Sequence, residues 1–222
     1  MKLKEIQVSD SLEGLARVGV SFLKGVVNAS PSPALGERMD GLVEELRHTV
    51  KDRRLSELEV VQLARKLYHR LGVDPTKDRP SSERLLRRVQ QGRPLPRINT
   101  LVDAVNLASL SLQCPLGVYD WDKVVPPVLV RIGRPDEGYL SVSRNPLHLE
   151  GRLVLVDGEG LFGNPSQDSL RTCVTEGTVR AMVVAWAPVD ATNEYLDSVL
   201  REIDQVCSEF CSGTVVESGI FP

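Results

Sequence analysis

Leu95-Pro96-Arg97-Ile98-Asn99-Thr100-Leu101-Val102-Asp103-Ala104-Val105-Asn106-Leu107 is the stretch on which the reading of this chain turns. Pro96 halts whatever helix precedes it. From Thr100 to about Gln113 apolar residues recur at helical spacing, which predicts a helix with Thr100 at its N-cap and Asp103 three residues on as the partner of a capping pair. Asn99, Asp103 and Asn106 are spaced four and three apart, so they share one face beside Val102 and Leu110. Capping accounts for Thr100 and Asp103 without any ligand, because it stabilises a helix start by about 1 kcal/mol. It does not account for Asn106, whose amide needs a partner if it is buried. Polar amides set among apolar residues read as the floor of a pocket.

Upstream, Ser81 to Gln91 reads as a helix capped by Ser81 or Ser82 and stopped at Gly92. The polar linker 74–80, with Pro75 and Pro80, marks an internal boundary before it. Two earlier helices are expected, from Ser32 to about Arg53 with Pro33 in its first turn, and from Ser56 to Leu71 behind the capping-box pattern Ser56-Glu57-Leu58-Glu59. Lys2–Val8 and Arg17–Val27 read as strands around a turn at Asp10–Gly14. Downstream the pattern turns extended: Val128–Ile132, Tyr139–Val142, Leu153–Val156 and Met182–Trp186 are short apolar runs, followed by a helix over Asn193–Cys211 and a last strand at Thr214–Glu217. Helices and strands in these proportions predict an α+β fold of mixed β-sheets with flanking helices. An N-terminal lobe (1–73) integrated with a core (74–222) in one compact unit is expected.

With 41% hydrophobic and 26% charged residues in 222, the composition is that of a globular protein able to bury a core. Met1–Asp10 lacks the apolar run of a signal peptide, and no window approaches the ~18 apolar residues of a bilayer span, so a cytoplasmic protein is expected. Cys114, Cys173, Cys207 and Cys211 form no CxxC pair and read as reduced thiols. His48, His69 and His148 are too dispersed for a metal site. Neither a phosphate-cradling glycine loop nor a GxSxG elbow is present, so no cofactor and no metal are expected.

The net charge of −3 argues against a protein that grips nucleic acid over its whole surface. Any such contact is local. From Lys77 to Arg97 six arginines, Arg79, Arg84, Arg87, Arg88, Arg93 and Arg97, are offset only by Asp78 and Glu83. Arg84, Arg87, Arg88, Arg93 and Arg97 are the candidate phosphate contacts, since guanidinium forks match phosphate geometry. A solvated helix face gives the same pattern.

Leu95–Leu107, followed by Leu112-Gln113-Cys114-Pro115-Leu116-Gly117-Val118-Tyr119-Asp120-Trp121-Asp122-Lys123, resembles the hallmark of the B3/B4 domain of phenylalanyl-tRNA synthetase beta subunits, a helix with a Val-Asp-x-x-Asn core and a Gln-Pro-x-His-x-Phe-Asp-x-Asp loop. Pro80–Arg88 is similar to the preceding helix of free-standing members. Asp168-Ser169-Leu170-Arg171-Thr172-Cys173-Val174-Thr175-Glu176-Gly177-Thr178 is similar to their Asp-Ser-x-x-Thr-x-Val-Thr-Glu-x-Thr segment. The family module hydrolyses the ester of tRNA carrying a wrongly attached tyrosine. The resemblance therefore implies a substrate pocket drawn from Asn99, Asp103, Asn106, Gly117, Tyr119, Asp120, Gly163, Asp168, Ser169, Arg171 and Thr172, with Arg171 a clamp for the terminal adenosine phosphate.

Two departures stand out. The family's loop histidine falls at Gly117, and the glutamate that senses the tyrosyl hydroxyl falls where this chain has Val183-Val184-Ala185, so selection of a tyrosyl hydroxyl is not expected. The resemblance implies a tRNA acceptor end as partner and a trans-acting deacylase, not a complete tRNA ligase. The alternatives are a non-catalytic module for tRNA or an amino-acid-like ligand, and a protein-interaction scaffold.

Overall fold

The computed structural model describes residues 2–29 and 32–222. Its frame is a four-stranded sheet in the order β10 (Thr214–Phe221), β2 (Ala16–Lys24), β9 (Arg180–Pro188), β3 (Leu116–Asp120), antiparallel throughout. A second sheet runs β1 (Ile6–Val8), β4 (Val128–Ile132), β7 (Leu153–Asp157), β8 (Gly160–Gly163), in which β1 and β4 are parallel. β5 (Gly138–Leu140) and β6 (Pro146–His148) form a small separate ribbon.

The first sheet is the middle of three layers, which explains the unbroken apolar run of β9. Ala181, Val183 and Ala185 face the cluster built by α1 (Pro33–Val50), α3 (Ser81–Gln90), α4 (Thr100–Leu112) and α5 (Asn193–Cys211). Met182, Val184 and Trp186 face the cluster shared with the second sheet and with α2 (Glu59–Arg70). A strand covered on both faces has no polar side to alternate with. Gly19 of β2 is needed where α5 lies closest, since a Cβ there would sit 3.3 Å from the Leu200 side chain.

The expected fold class is what the structure has, and most elements lie where periodicity puts them. The differences have local causes. Thr100 does not cap α4, because its N–H and hydroxyl both bond the Ala29 carbonyl (3.0 and 3.2 Å). Asn99 is the cap instead, its Oδ1 accepting from Val102 N at 2.9 Å. Ser56 lies in a single 3-10 turn, Leu55–Glu57, and α2 starts behind Leu58 without a side-chain cap. Neither Ser81 nor Ser82 caps α3; Pro80 holds that position, and the Ser81 N–H bonds the Pro165 carbonyl (3.1 Å), tying the helix to the loop after β8. β1 and β2 are not a hairpin but belong to different sheets. Pro115 to Asp120, taken as a loop, contains strand β3. Among the described residues no helix is long and apolar enough to cross a membrane.

Candidate functional site

β3 is an edge strand, so its outward backbone groups are taken by something other than a sheet neighbour. Asp120 N bonds the Thr172 carbonyl (2.9 Å), and Val118 N bonds Asp168 Oδ2 (3.2 Å). The segment after β8 is thus laced to the strand that carries Gly117 and Tyr119. Tyr119 is fully buried and leans back over Gly117: a Cβ on Gly117 would collide with the Tyr119 hydroxyl, and so would a Cβ on Gly163 in the second sheet. The same position on Gly117 lies 2.8 Å from Asp168 Oδ1. Gly117, Tyr119, Gly163 and Asp168 therefore converge on one point between the sheets.

The Tyr119 ring meets Phe162 edge to face, with centroids 5.1 Å apart. Its hydroxyl is faced by the Asp168 carboxyl, closely enough for each to act on the other. Burial, with the Asp168 charge adding, pushes the Tyr119 phenol well above its usual pKa. Part of Asp168 reaches solvent, yet its carboxyl sits deep enough that burial raises its pKa to about 7, against smaller opposing effects of Tyr119 and the Val118 N–H.

The two departures from the family pattern face each other. Gly117 is the cross-strand partner of Val184, and Leu116 that of Ala185. Val183, Val184 and Ala185 are all fully buried. Where the resemblance implies an imidazole and a carboxylate, this chain has apolar packing and a tyrosine of its own.

The other expected pocket residues have different surroundings. Ser169 and Thr172 are buried and satisfy each other, Oγ to Oγ1 at 3.0 Å. Asp120 caps the turn at Trp121–Lys123 and accepts from the Thr178 hydroxyl at 2.8 Å. Arg171 is not a free phosphate clamp: Asp157, Glu159 and the Lys123 carbonyl hold its guanidinium at 2.8–3.2 Å, and it lies over the Phe162 ring. Ser169 and Arg171 border an open cleft of about 580 Å³ together with Glu137, Tyr139, Glu159 and Leu161.

On α4, Asp103 is fully buried; its Oδ1 accepts from Ile98 N (3.0 Å), its Oδ2 has no partner, and burial raises its pKa. Asn106, one turn on, is half-buried, and its amide has no hydrogen-bond partner among the described residues. It is reachable from solvent, but α4 packs in the cluster on the opposite face of the first sheet from Tyr119, so the structure does not bring it to Gly117, Gly163 and Asp168.

The arginines divide. Arg97 is ion-paired to Asp40 of α1 (2.6 Å), Arg88 bonds the Pro94 carbonyl (2.8 and 3.0 Å), and Arg84 lies 3.9 Å from Asp78. Arg79 and Arg65 share the buried carboxylate of Glu83. Among the described residues Arg87 and Arg93 are exposed and engaged by no acidic group. Sequence reasoning missed Arg65, which is eighteen positions from Glu83 and therefore carries no local signal.

Among the described residues no three His, Cys, Asp or Glu side chains come together as a metal site. Cys114, Cys207 and Cys211 are buried free thiols, and Cys173 is half-buried.

The structure is similar to the crystal structure of an N-terminal fragment of the phenylalanyl-tRNA synthetase beta-subunit from Pyrococcus horikoshii, with a TM-score of 0.50 and 14% sequence identity over 98% of this chain and 54% of that one. This chain thus spans about half of that fragment, and at such identity the likeness is one of fold. No curated protein matches the sequence. The B3/4 domain family matches residues 63–197, a span that holds α3, α4, β3, Gly163 and Asp168 alike. That is more than half of the chain and includes Gly117, Tyr119, Gly163 and Asp168, and the chain belongs to the B3/4 domain family.

Proposed function

We propose that this chain binds the acylated 3′ end of a tRNA and hydrolyses the ester between amino acid and ribose, with Asp168 as general base. The observation that carries the reading is the convergence of Gly117, Gly163 and Asp168, with the Asp168 carboxyl raised to about 7. Such a carboxyl is half ionised near neutrality and accepts a proton more readily than an ordinary carboxylate. A water oxygen adds to the ester carbonyl carbon while its proton passes to Asp168. The bond from that carbon to the ribose oxygen then breaks, and the ribose oxygen takes the proton from Asp168, releasing free amino acid and uncharged tRNA. An activated ester needs little more than an oriented water and donors for the developing oxyanion. Arg87 and Arg93 supply free guanidinium groups for the RNA backbone.

A second reading, a module that binds tRNA without catalysis, is favoured by one observation: Gly117 pairs with Val184 in dry packing where the family pattern has polar groups. A panel of tRNAs, each charged with a different amino acid, separates the two. Hydrolysis requires release above the spontaneous rate for at least one member, reduced at least about 100-fold in Asp168→Asn. Retention of tRNA without release from any member leaves the non-catalytic reading.

A further inference from the structure

We infer that the open cleft between the end of α1 and the start of α2 is a pocket for one unpaired nucleobase, with the phosphate of that nucleotide on its rim. The inference goes beyond the reading above, because neither Asp168 nor an ester takes part in it. The cleft has a volume of about 410 Å³, within the range of small-molecule pockets. Its buried lining is apolar, Val50, Leu58 and Leu86, except for Gln113. Its exposed lining includes Arg53 and Val60.

Gln113 points to a ligand. It ends α4 in the left-handed conformation (φ 53°), where glycine or asparagine is the usual residue. Its Nε2 donates to the Leu110 carbonyl at 2.6 Å, which accounts for half of the amide. The other half, Oε1, has no partner, and the residue is 4% exposed. A buried acceptor without a donor costs free energy, and a ligand N–H entering the cleft removes that cost. The pairing edge of an amino-bearing base offers such a donor, and its flat faces suit the aliphatic walls.

The rim suits a phosphate. α2 begins there without a side-chain cap, and Leu58, Glu59 and Val60 line the cleft, so the positive end of a helix borders it. Lys51 and Arg53 are exposed and pair with no acidic group among the described residues, whereas Glu57 is matched by Arg54 at 3.7 Å. Gln90 of α3 donates to the Val50 and Arg53 carbonyls, both at 2.8 Å. That ties this basic turn to the helix carrying the free Arg87, so two basic segments distant in sequence meet at the cleft. Glu59 opposes them, which leaves recognition to the base more than to the phosphate.

Titration with adenosine 5′-monophosphate tests this, read by calorimetry and by the amide resonances of isotopically labelled protein. Saturable binding is expected, with the Gln113 side-chain amide and the Val50, Glu59 and Val60 backbone amides shifting together. Purine riboside 5′-monophosphate lacks only the exocyclic amine and is expected to bind at least about fivefold more weakly, the scale of one hydrogen bond. Inorganic phosphate at equal concentration is expected not to displace the nucleotide. Gln113→Met is expected to abolish the preference for the amine. Val60→Trp, which covers the mouth from an exposed position, is expected to abolish binding with little change in melting temperature, and it carries the test if Gln113→Met does not fold. Equal affinity for the two nucleotides overturns the pocket, as do shifts confined to other residues, displacement by phosphate, or binding that survives Val60→Trp. Nucleotide binding by a protein that releases nothing from any charged tRNA supports the pocket and overturns the hydrolytic reading; release without nucleotide binding does the reverse.

Discussion

The hydroxyl of Tyr119 lies where a β-carbon on residue 117 would have to be, so tyrosine at one position and glycine at the other are a single steric unit. Gly117→Ala is expected to destabilise the fold by about 1–3 kcal/mol, the usual range for overpacking a filled interior. Tyr119→Phe removes the colliding atom together with the hydroxyl that faces Asp168, and is expected to change stability by no more than about 1 kcal/mol. The double variant should recover most of what Gly117→Ala loses. A urea-unfolding double-mutant cycle reads the coupling, and strictly additive values would contradict the steric account.

Asp168 ties stability to pH. Its folded pKa of about 7 lies above the ordinary 3.8, so between these values the folded state holds more proton than the unfolded state. Stability from this group is intact below about pH 4 and is lost as pH rises through about 7. Asp168→Asn, which can still accept from Val118 N, is expected to flatten that fall. Chemical denaturation of both proteins at pH 5 and pH 8 measures it.

The two free arginines separate binding from architecture. Arg87→Ala and Arg93→Ala are each expected to weaken tRNA affinity several-fold and to reduce the salt slope of binding by about 1, with little change in melting temperature. Arg97→Ala breaks the tie to Asp40 on α1 and is expected to act on stability first. Filter binding across a salt series, beside thermal melts, distinguishes the two kinds of residue.

Glu83 is 2% exposed and is held by Arg65 at 2.7 Å and Arg79 at 3.1 Å. Replacing it with glutamine leaves two guanidinium groups short of a counter-charge and is expected to cost about 3–5 kcal/mol. The loss should show in urea unfolding and leave tRNA affinity per folded molecule unchanged.

How far the sequence foretells this structure depends on whether the deciding contact is local. Asn193–Cys211 and Val128–Ile132 have the limits that periodicity assigns them, because caps and apolar spacing lie within a few residues. β9 outgrows the run Met182–Trp186 at both ends because both its faces are covered. β3 is hidden because Pro115 and Gly117 look like turn residues, whereas Gly117 is a glycine for the sake of a close approach. The residues singled out for the site include the four that meet, Gly117, Tyr119, Gly163 and Asp168. Their neighbours are another matter. That Arg171 is spent on Asp157 and Glu159, and Ser169 on Thr172, follows from folding geometry that no local pattern carries.

The placement of β2 between β9 and β10 has a consequence for biosynthesis. Ala16 pairs with Pro188 and Lys24 with both Arg180 and Thr214. β2 thus waits for the synthesis of β9 and β10, far along the chain, before either flank is covered, and meanwhile leaves the ribosome with Val18, Val20, Phe22 and Leu23 unsheltered. Contacts this distant in sequence close slowly. Chaperone capture or aggregation of nascent chains is therefore concentrated in those stalled before β9 has emerged.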